Sequence, residues 1–309
     1  MKKILVLILL LGLIFSVSNS ALAEEEDFHI GWVTYTLEVH YFQSSVAGAE
    51  RAAEEYGVEL TVLDPRASEE EQVEQIENLM AMGVDGIVVD AIDADTVLGP
   101  VSEAIEAGIE VAAVDTDIDH EDLVTVVATP PVERSREFGR HVGGWIHAKY
   151  DGEADVGVLF ASSTLQLARR DGFVEVIEEF PDSEIVAEGD GRNIYEESQE
   201  EAEDMITANP DIDIIYATGD PALMGSIAAA EVLGMEEDID FFGWDNLPDH
   251  FIEPTREGLI TGFVNQMPDQ KAEMAFEQLM KALRGEETER YLDAPIDIVT
   301  KFNIDRYTQ

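Results

Sequence analysis

Residues 68–90, with the sequence SEEEQVEQIENLMAMGVDGIVVD, contain one complete helix–strand unit. Ser68 followed three residues later by Glu71 forms a capping box, which predicts a helix beginning there, and Gly83 predicts its end after Met82. The apolar run at 86–89 then predicts a buried strand. A continuous apolar strand reached directly from a helix is typical of a parallel sheet covered by helices on both faces.

The same alternation continues in both directions along the chain and forms two series. The first series predicts strands at 29–33, 58–63, 86–89 and 109–114, with helices at 42–56 and 68–82 and an amphipathic run ending at 107. The second predicts strands at 155–160, 184–187, 212–217, 239–243 and 259–264, with helices at 165–180, 196–208 and 221–233. The pattern pauses near Thr129-Pro130-Pro131, which indicates a crossover. We therefore expect two doubly wound α/β lobes.

The N-terminus has the features of a cleavable secretory signal. Two lysines, Lys2 and Lys3, precede an apolar run at 4–15, and Ala21-Leu22-Ala23 supplies a small-residue cleavage site. The run is shorter than the ~20 apolar residues of a membrane span. We expect residues 1–23 to be removed, with an uncleaved membrane anchor as the alternative. The chain contains no cysteine, so we expect a free periplasmic protein rather than a lipoprotein, without disulfides.

The charge is strongly negative, at −49 from 18 basic and 67 acidic residues. Removing Lys2 and Lys3 leaves 16 basic residues, a net charge of −51 and only four lysines. Such a chain repels nucleic acid and anionic membranes, so we expect neither as a partner. The acidic residues are spread along the chain instead of forming a tail, which favours a salt-loving source over an ordinary acidic exported protein.

The motifs of common catalytic and cofactor sites are absent from the sequence. Gly189-Asp190-Gly191 has Ile194 where a dinucleotide fingerprint needs its third glycine, and there is no phosphate loop, nucleophile elbow or zinc motif. We therefore predict no cofactor and no metal. An acidic loop lacks the glycine and terminal glutamate of a calcium loop, and we interpret it as solvated, although an ion there is left open. The acidic residues of that loop are Asp115, Asp117, Asp119 and Asp122.

Aromatic, carboxylate and amide side chains follow the predicted strands at their carboxyl ends, where open α/β sheets bind ligands. Aromatic rings stack on apolar C–H faces and carboxylates accept hydrogen bonds from hydroxyl groups, so this set suits a polyhydroxylated ligand. Simpler interpretations exist, because Phe42 could be a core residue and Asp90 and Asp220 could cap helices. The residues at strand ends are Tyr35, Tyr41, Phe42, Asp90, Asp115, Asn193, Asp220, Trp244, Asp245 and Gln266.

Six motifs in order make the sequence resemble the ribose- and galactose-type periplasmic sugar-binding proteins, the receptors of ATP-driven importers. They are Tyr41-Phe42 before Gly48-Ala49, the run at 83–89, Arg169-Arg170-Asp171-Gly172-Phe173, Asn209-Pro210-Asp211 with Gly219-Asp220, the run at 243–249, and Gln266-Met267-Pro268. The resemblance covers nearly all of the chain after residue 23. It implies two lobes joined by a three-crossover hinge, with the ligand enclosed between them.

On this resemblance, residues 24–129 and 267–297 form the N-terminal lobe, and residues 130–266 and 298–309 form the C-terminal lobe. The first lobe is expected to contribute Tyr35, Tyr41, Phe42, Asp90 and Asp115 to the ligand site. The second is expected to contribute Asn193, Asp220, Trp244 and Asp245, with Gln266 at a hinge. Thr129 and Arg169 complete the expected ligand-binding set.

The sequence departs from the family in the charges expected around the ligand. Thr116 and Leu167 stand where such proteins often have arginine, and Gly219 stands where asparagine is usual. The site is therefore expected to be poor in cations and rich in carboxylates, which would suit an amino sugar or another cationic solute. The alternative is that Arg169 supplies the positive charge and that the ligand is a neutral sugar.

These inferences predict a non-enzymatic receptor that captures a small polyhydroxylated solute and delivers it to the membrane permease of an ABC importer. We expect a monomer, and leave open whether a chemoreceptor also reads the closed form and whether the ligand is a signalling furanose. A secreted glycosidase is an alternative, but 67 acidic residues allow no catalytic pair to be singled out. The effector domain of a transcription repressor is a third possibility, against which the secretory signal and the absence of a DNA-binding segment argue.

The acidic composition predicts that salt stabilises the folded protein. Repulsion among surface carboxylates weakens as the Debye length falls from about 10 Å at 0.1 M salt to about 3 Å at 1 M. We expect the melting temperature to rise between these two salt concentrations. A melting temperature that stays constant would contradict the inference of a salt-adapted protein.

Overall fold

The computed structural model of the chain describes residues 28–308 and contains two six-stranded sheets, each flanked by helices. The signal peptide predicted at residues 1–23 lies outside this range. Within residues 28–308, no helix is both long enough and apolar enough to cross a bilayer.

The first sheet has the strand order β11-β5-β4-β3-β1-β2, and all of its pairs are parallel. Its strands are β1 His29–Val33, β2 Glu59–Leu63, β3 Gly86–Asp90, β4 Glu110–Val114, β5 Thr125–Ala128 and β11 Tyr291–Asp293. The helices of this lobe are α1 His40–Tyr56, α2 Glu69–Met82, α3 Ala94–Glu106 and α9 Pro268–Leu283. The order reverses direction between β1 and β3, which makes the carboxyl ends of these strands the expected binding edge.

The second sheet repeats this arrangement with the order β12-β10-β9-β8-β6-β7, and only its edge strand β12 runs antiparallel. Its strands are β6 Asp155–Phe160, β7 Glu184–Asp190, β8 Ile214–Ala217, β9 Asp240–Asp245, β10 Ile260–Asn265 and β12 Asp297–Val299. Its helices are α4 Pro131–Lys149, α5 Thr164–Ile177, α6 Tyr195–Ala208, α7 Asp220–Leu233 and α8 Asp249–Glu257, followed by a short 3₁₀ turn at Ile304–Arg306.

The chain passes between the two sheets three times, after β5, after β10 and between β11 and β12. The second passage carries α9 back to the first lobe, where it packs against α1 and β4. The two helices approach closely, because a Cβ atom added to Gly48 would collide with the backbone carbonyl of Asp269. Helix α9 therefore belongs to the core of the first lobe, although it begins at the edge of the second.

Local sequence explains the boundaries of the helix–strand unit at residues 68–90. The hydroxyl of Ser68 accepts a hydrogen bond from the backbone N–H of Glu71 at 3.3 Å, so Ser68 caps α2 as predicted. Gly83 ends the helix in the left-handed region, at a φ of 76° that costs glycine little. The buried strand β3 follows at once and is paired on both edges, as its apolar sequence predicts.

Two long helices, α4 Pro131–Lys149 and α9 Pro268–Leu283, were given no predicted bounds, and the other differences are short segments. β5, α8, β11 and β12 were not predicted, and two of the three strands are only three residues long. β11 and β12 lie at sheet edges, where half-exposed sequence carries no continuous apolar run.

Candidate functional site

Asp115 is the centre of a charged cluster at the carboxyl end of β4. The hydroxyl of Tyr41 donates to Oδ2 of Asp115 at 2.6 Å. The ammonium of Lys271 donates to the hydroxyl oxygen of Tyr41 at 2.6 Å and also forms a hydrogen-bonded ion pair with Oδ1 of Asp115. Both carboxylate oxygens of Asp115 are therefore held by protein donors, and lone pairs remain on each for a ligand.

The backbone at Asp115 and the helix α9 both fix this cluster in position. Asp115 directly follows β4 in the left-handed region, with a φ of 60°, and its N–H donates to the carbonyl of Val127 at 2.9 Å. Aspartate tolerates this conformation better than most residues. Lys271 lies in the first turn of α9 with only 2% of its side chain exposed. Burial and the Asp115 carboxylate raise the pKa of Tyr41 well above its usual value, so its hydroxyl stays protonated and can donate.

Asp90 ends β3, the neighbour of β4, and is almost fully buried at 2% exposure. Burial and the nearby negative charge of Asp115 raise its pKa well above the usual value, while Lys271 acts in the opposite direction. Oδ2 of Asp90 has no hydrogen-bond partner within the described residues. Asp90 therefore presents a buried oxygen that can hydrogen-bond to an enclosed ligand.

Three aromatic rings lie beside the first-lobe carboxylates. Tyr35 and Phe42 stack with centroids 5.0 Å apart and planes inclined by 7°, and Tyr41 meets Phe42 edge-on at 5.2 Å. Tyr35 follows β1, whereas Tyr41 and Phe42 lie in the first turn of α1. The close pair of planes forms an aromatic wall at the carboxyl edge of the sheet, as expected for a surface that packs against the apolar face of a ligand.

In the second lobe, Arg169 of α5 is a buried cation that contacts Thr218, Gln266 and Trp244. Its guanidinium donates to the carbonyl of Thr218 at 3.0 Å and to Oε1 of Gln266 at 3.1 Å, and it lies over the ring of Trp244 at 4.9 Å. Burial lowers the pKa of Arg169, and the Asp245 carboxylate opposes that shift. Nε of Arg169 has no partner within the described residues, which leaves a donor for a ligand.

Asp245 ends β9 and is held by backbone donors. The N–H of Asp220, the first residue of α7, donates to Oδ2 of Asp245 at 3.2 Å, and the N–H of Asn246 donates to Oδ1 at 2.7 Å. Burial raises the pKa of Asp245, whereas the hydrogen bond from Asn246 lowers it. Oδ1 of Asp220 lies 2.9 Å from Nε2 of His250 and accepts a hydrogen bond from it in the tautomer that carries the proton on Nε2.

The two sets of residues face each other across the lobes. The negative charge of Asp115 in the first lobe opposes the lowering of the Arg169 pKa, although less than that of Asp245 does. Nδ1 of His40, at the start of α1, lies 2.9 Å from Nδ2 of Asn246 in the other lobe. A cavity of 330 Å³ lies beside this contact, between α1 and α8, and its lining includes none of the expected ligand-binding residues. The segments that follow β1 and β9 at their carboxyl ends therefore touch across the two lobes.

Trp244, which was expected to contribute to the ligand site from the second lobe, lies in the core of that lobe. Its ring is 0% exposed and packs with Phe242 and Tyr216 in the core of the second lobe. Side chains alternate along a strand, so Trp244 and Phe242 share this inner face of β9. Trp244 supports the guanidinium of Arg169 instead of presenting a free surface.

Two expected site residues lie apart from the charged clusters. Asn193 is exposed in the loop after β7, and a Cβ on Gly219 would lie 2.7 Å from its Oδ1, so glycine at 219 makes room for the Asn193 amide. Thr129 follows β5, and its buried hydroxyl has no partner within the described residues. The acidic loop does not converge, because Asp117 pairs with Arg290 at 3.3 Å, and residues 28–308 hold no group of three potential metal ligands.

The expectation of a cation-poor site is wrong for the first lobe, because it overlooked Lys271. The cation is not at position 116 or 167, where arginine was expected. It reaches Asp115 from α9, the helix that returns to the first lobe. The sequence did contain a pattern that indicates a buried lysine. Lys271 lies four residues before Ala275 and eight before Leu279, on the buried face of α9. It is also one of only four lysines after residue 23. A lysine on an apolar helical face predicts a buried partner of opposite charge.

Known proteins match this chain over nearly its whole length. The sequence model of the periplasmic binding protein domain family matches residues 30–287. The ribose import binding protein RbsB of Escherichia coli (strain K12) is 26% identical over 310 residues, covering 97% of this chain and 99% of RbsB. The galactofuranose-binding protein YtfQ of the same organism is 25% identical over 242 residues, covering 76% of each chain.

Solved structures show the same fold. The arabinose-binding protein AraP of Geobacillus stearothermophilus superposes with a TM-score of 0.82 at 22% identity, covering 91% of this chain and 99% of AraP. A periplasmic solute-binding protein of Actinobacillus succinogenes with bound D-allose gives a TM-score of 0.78 at 23% identity, covering 91% of this chain and 100% of that protein. At these identities the likeness establishes the two-lobed fold.

The raised pKa of Asp90 predicts a distinct pH dependence of stability. The folded state holds a proton on Asp90 more tightly than the unfolded chain does. The stability associated with Asp90 is therefore complete below the unfolded pKa and is lost as the pH rises through the folded pKa. The asparagine side chain in the variant Asp90→Asn does not titrate. Without ligand, we therefore expect this variant to have a higher melting temperature than the parent at about pH 8, and we expect the difference in melting temperature to become smaller towards about pH 5.

Asp93→Asn is the matched control, three residues away. The backbone N–H and the hydroxyl of Thr96 donate to Asp93, cap α3 and lower its pKa, so its stabilising effect is present at high pH and is lost as the pH falls. The control should therefore melt at or below the parent at about pH 8. If the melting temperatures of Asp90→Asn and the parent differ by the same amount at both pH values, the environment assigned to Asp90 is contradicted.

Proposed function

Because the chain belongs to the periplasmic binding protein domain family, we propose that it is a receptor that captures a small sugar or sugar-like ligand between its lobes and delivers it to an ABC importer. The proposal rests most directly on one observation. Polar groups from the carboxyl ends of both sheets meet where Nδ1 of His40 lies 2.9 Å from Nδ2 of Asn246, the residue next to Asp245. A ligand in that region would contact both lobes at once.

The chemistry of the converging groups favours a polyhydroxylated ligand. The carboxylates of Asp115 and Asp245 each have both oxygens oriented by protein donors and retain lone pairs for hydroxyl groups. The stacked rings of Tyr35 and Phe42 can cover the apolar C–H face of a sugar. Such a site combines orientation by hydrogen bonds with apolar contact, which is the usual design of a small-molecule site.

The named ligands of similar proteins support a carbohydrate. RbsB is named as a ribose binder and YtfQ as a galactofuranose binder. Proteins with this fold have been solved with bound D-allose, D-arabinose and myo-inositol. The range includes pentoses, hexoses and a cyclic polyol, so the shared fold supports the ligand class more strongly than any single sugar.

Binding without catalysis fits the arrangement of the acidic groups better than a glycosidase does. In a glycosidase one carboxylic acid protonates the leaving oxygen while a carboxylate activates water or attacks the sugar. Here Asp115 is tied to Lys271 and Tyr41, and Asp245 is tied to backbone N–H groups. These contacts orient the carboxylate oxygens as hydrogen-bond acceptors.

Closure of the two lobes would transmit ligand binding to the transporter. Three chain passages connect the sheets, and contacts such as His40 to Asn246 join the lobes at the rim of the cleft. A ligand that contacts both lobes favours the closed state by the free energy of the contacts that exist only there. The membrane permease of the importer is the proposed partner of that closed state, and a chemoreceptor that reads it is a further possible partner.

The proposed setting is the periplasm, reached through cleavage of residues 1–23, with the mature protein acting as a free monomer without a lipid anchor. The lysine-rich start and the short apolar run support this export route. The net charge of −49 supports a salt-rich environment.

A thermal-shift screen followed by calorimetry tests the proposal. The ligands are D-ribose, L-arabinose, D-allose, D-galactose and myo-inositol, each added in high salt. We expect at least one to raise the melting temperature of the parent. Asp245→Ala should weaken binding of that sugar by about 2–4 kcal/mol, because an enclosed hydroxyl loses a charge-assisted hydrogen bond.

Asp238→Ala is the matched control, because Asp238 is exposed in the turn before β9, at the end of that strand opposite Asp245. It should bind the sugar as the parent does. Equal affinities of Asp245→Ala and the parent would refute the assignment of Asp245, and a parent that binds no carbohydrate or polyol would refute the proposed function.

A further inference from the structure

We propose that Lys271 is a specificity-determining residue of this site, which compensates the first-lobe carboxylates from inside the protein and so selects uncharged ligands over cationic ones. The inference rests on the proposed function and deepens it. The decisive geometry is the closed set of contacts in which one ammonium group reaches both Asp115 and the hydroxyl of Tyr41.

Lys271 reaches this position from a segment outside the ligand-binding loops. It lies one turn into α9, which packs in the first-lobe core against α1 and β4. The Lys271 side chain is 2% exposed, and the ring of Tyr41 lies 5.3 Å from its ammonium. A buried ammonium at this depth requires a fixed anionic partner, and Asp115 is that partner.

The charges around the ligand region determine which ligand is favourable. Asp90 and Asp115 lie on neighbouring strands, close enough for the charge of Asp115 to raise the pKa of Asp90. Without a cation beside them, these two groups would attract an ammonium group on the ligand and would disfavour a neutral one. Lys271 already supplies that positive charge, and Arg169 supplies a second one facing Asp245.

The contacts also show how Lys271 acts on the ligand through its neighbours. Its ammonium and the Tyr41 hydroxyl orient one oxygen each of the Asp115 carboxylate. The remaining lone pairs point to fixed positions, where hydroxyl groups can donate. Lys271 is therefore a positioning residue. An amino sugar would place a second ammonium group beside the Asp115 carboxylate, which already pairs with the ammonium of Lys271.

The variant Lys271→Met tests this inference, because it keeps the length and apolar stem of the side chain while removing its charge. The probes are D-galactose with D-galactosamine, D-allose with its 2-amino-2-deoxy analogue, and D-ribose with its 2-amino-2-deoxy analogue, measured by calorimetry at neutral pH in one high-salt buffer. For whichever sugar pair the parent binds, we expect it to bind the neutral sugar more tightly than the amino sugar. Lys271→Met should shift the affinity ratio towards the amino sugar by about tenfold or more, since it leaves the Asp115 carboxylate without its ammonium partner.

Two further variants separate charge from a structural role. Lys281→Met removes an exposed lysine that pairs with Glu277 on the same helix, and it should leave the ratio unchanged. The double variant Asp115→Asn/Lys271→Met removes both charges and should restore the preference for the neutral sugar, even where the absolute affinity is lower. It should also recover melting temperature lost in Lys271→Met, which keeps the comparison informative if the single variant is poorly folded.

The outcomes distinguish this inference from the proposed function. A ratio that is unchanged in Lys271→Met, or a parent that prefers the amino sugar, would overturn the role of Lys271 while leaving a carbohydrate receptor intact. A double variant that keeps the shifted ratio would also overturn it, because the effect would then not arise from charge. Failure of the parent to bind any neutral or amino sugar would refute the proposed function, and the inference with it.

Discussion

The buried ion pair between Lys271 and Asp115 is the interaction on which the organisation of the site depends. It joins the carboxyl end of β4 to the helix that follows the second passage between the lobes. Burying the Lys271 ammonium beside the part-exposed Asp115 is costly unless further hydrogen bonds satisfy the pair, and the hydroxyl of Tyr41 bridges the two groups. The same contacts therefore satisfy the buried charges and fix the direction in which Asp115 can accept hydrogen bonds from a ligand.

The interior of the site contrasts with the rest of the molecule. The chain as a whole has 67 acidic and 18 basic residues, so most carboxylates have no cation available. At the cleft, however, Lys271 faces Asp115 and Arg169 lies near Asp245. Surface charge can be screened by salt, whereas buried charge is screened much less and must be matched within the fold. Two of the scarce cations, Lys271 and Arg169, are thus placed where solvent ions cannot replace them.

Much of the fold could be predicted from the sequence because its signals are local. The capping box at Ser68, the glycine at 83 and the apolar strands each act within a few residues, and these elements were confirmed. The residues of the site were predicted by their place at strand ends, and the structure brings Asp115, Tyr41 and Asp90 together. Lys271 was missed because its partner is 156 residues away in sequence, and the burial of Trp244 depends on which face of β9 is covered.

A crystal structure of the protein with the tightest-binding neutral sugar tests the central claim most directly. The account predicts one sugar enclosed between the lobes, with its hydroxyls within about 2.5–3.0 Å of carboxylate oxygens of both Asp115 and Asp245. It also predicts that the ammonium of Lys271 remains on Asp115 and Tyr41. A sugar bound outside this cleft, or one that displaces Lys271 from Asp115, would contradict it.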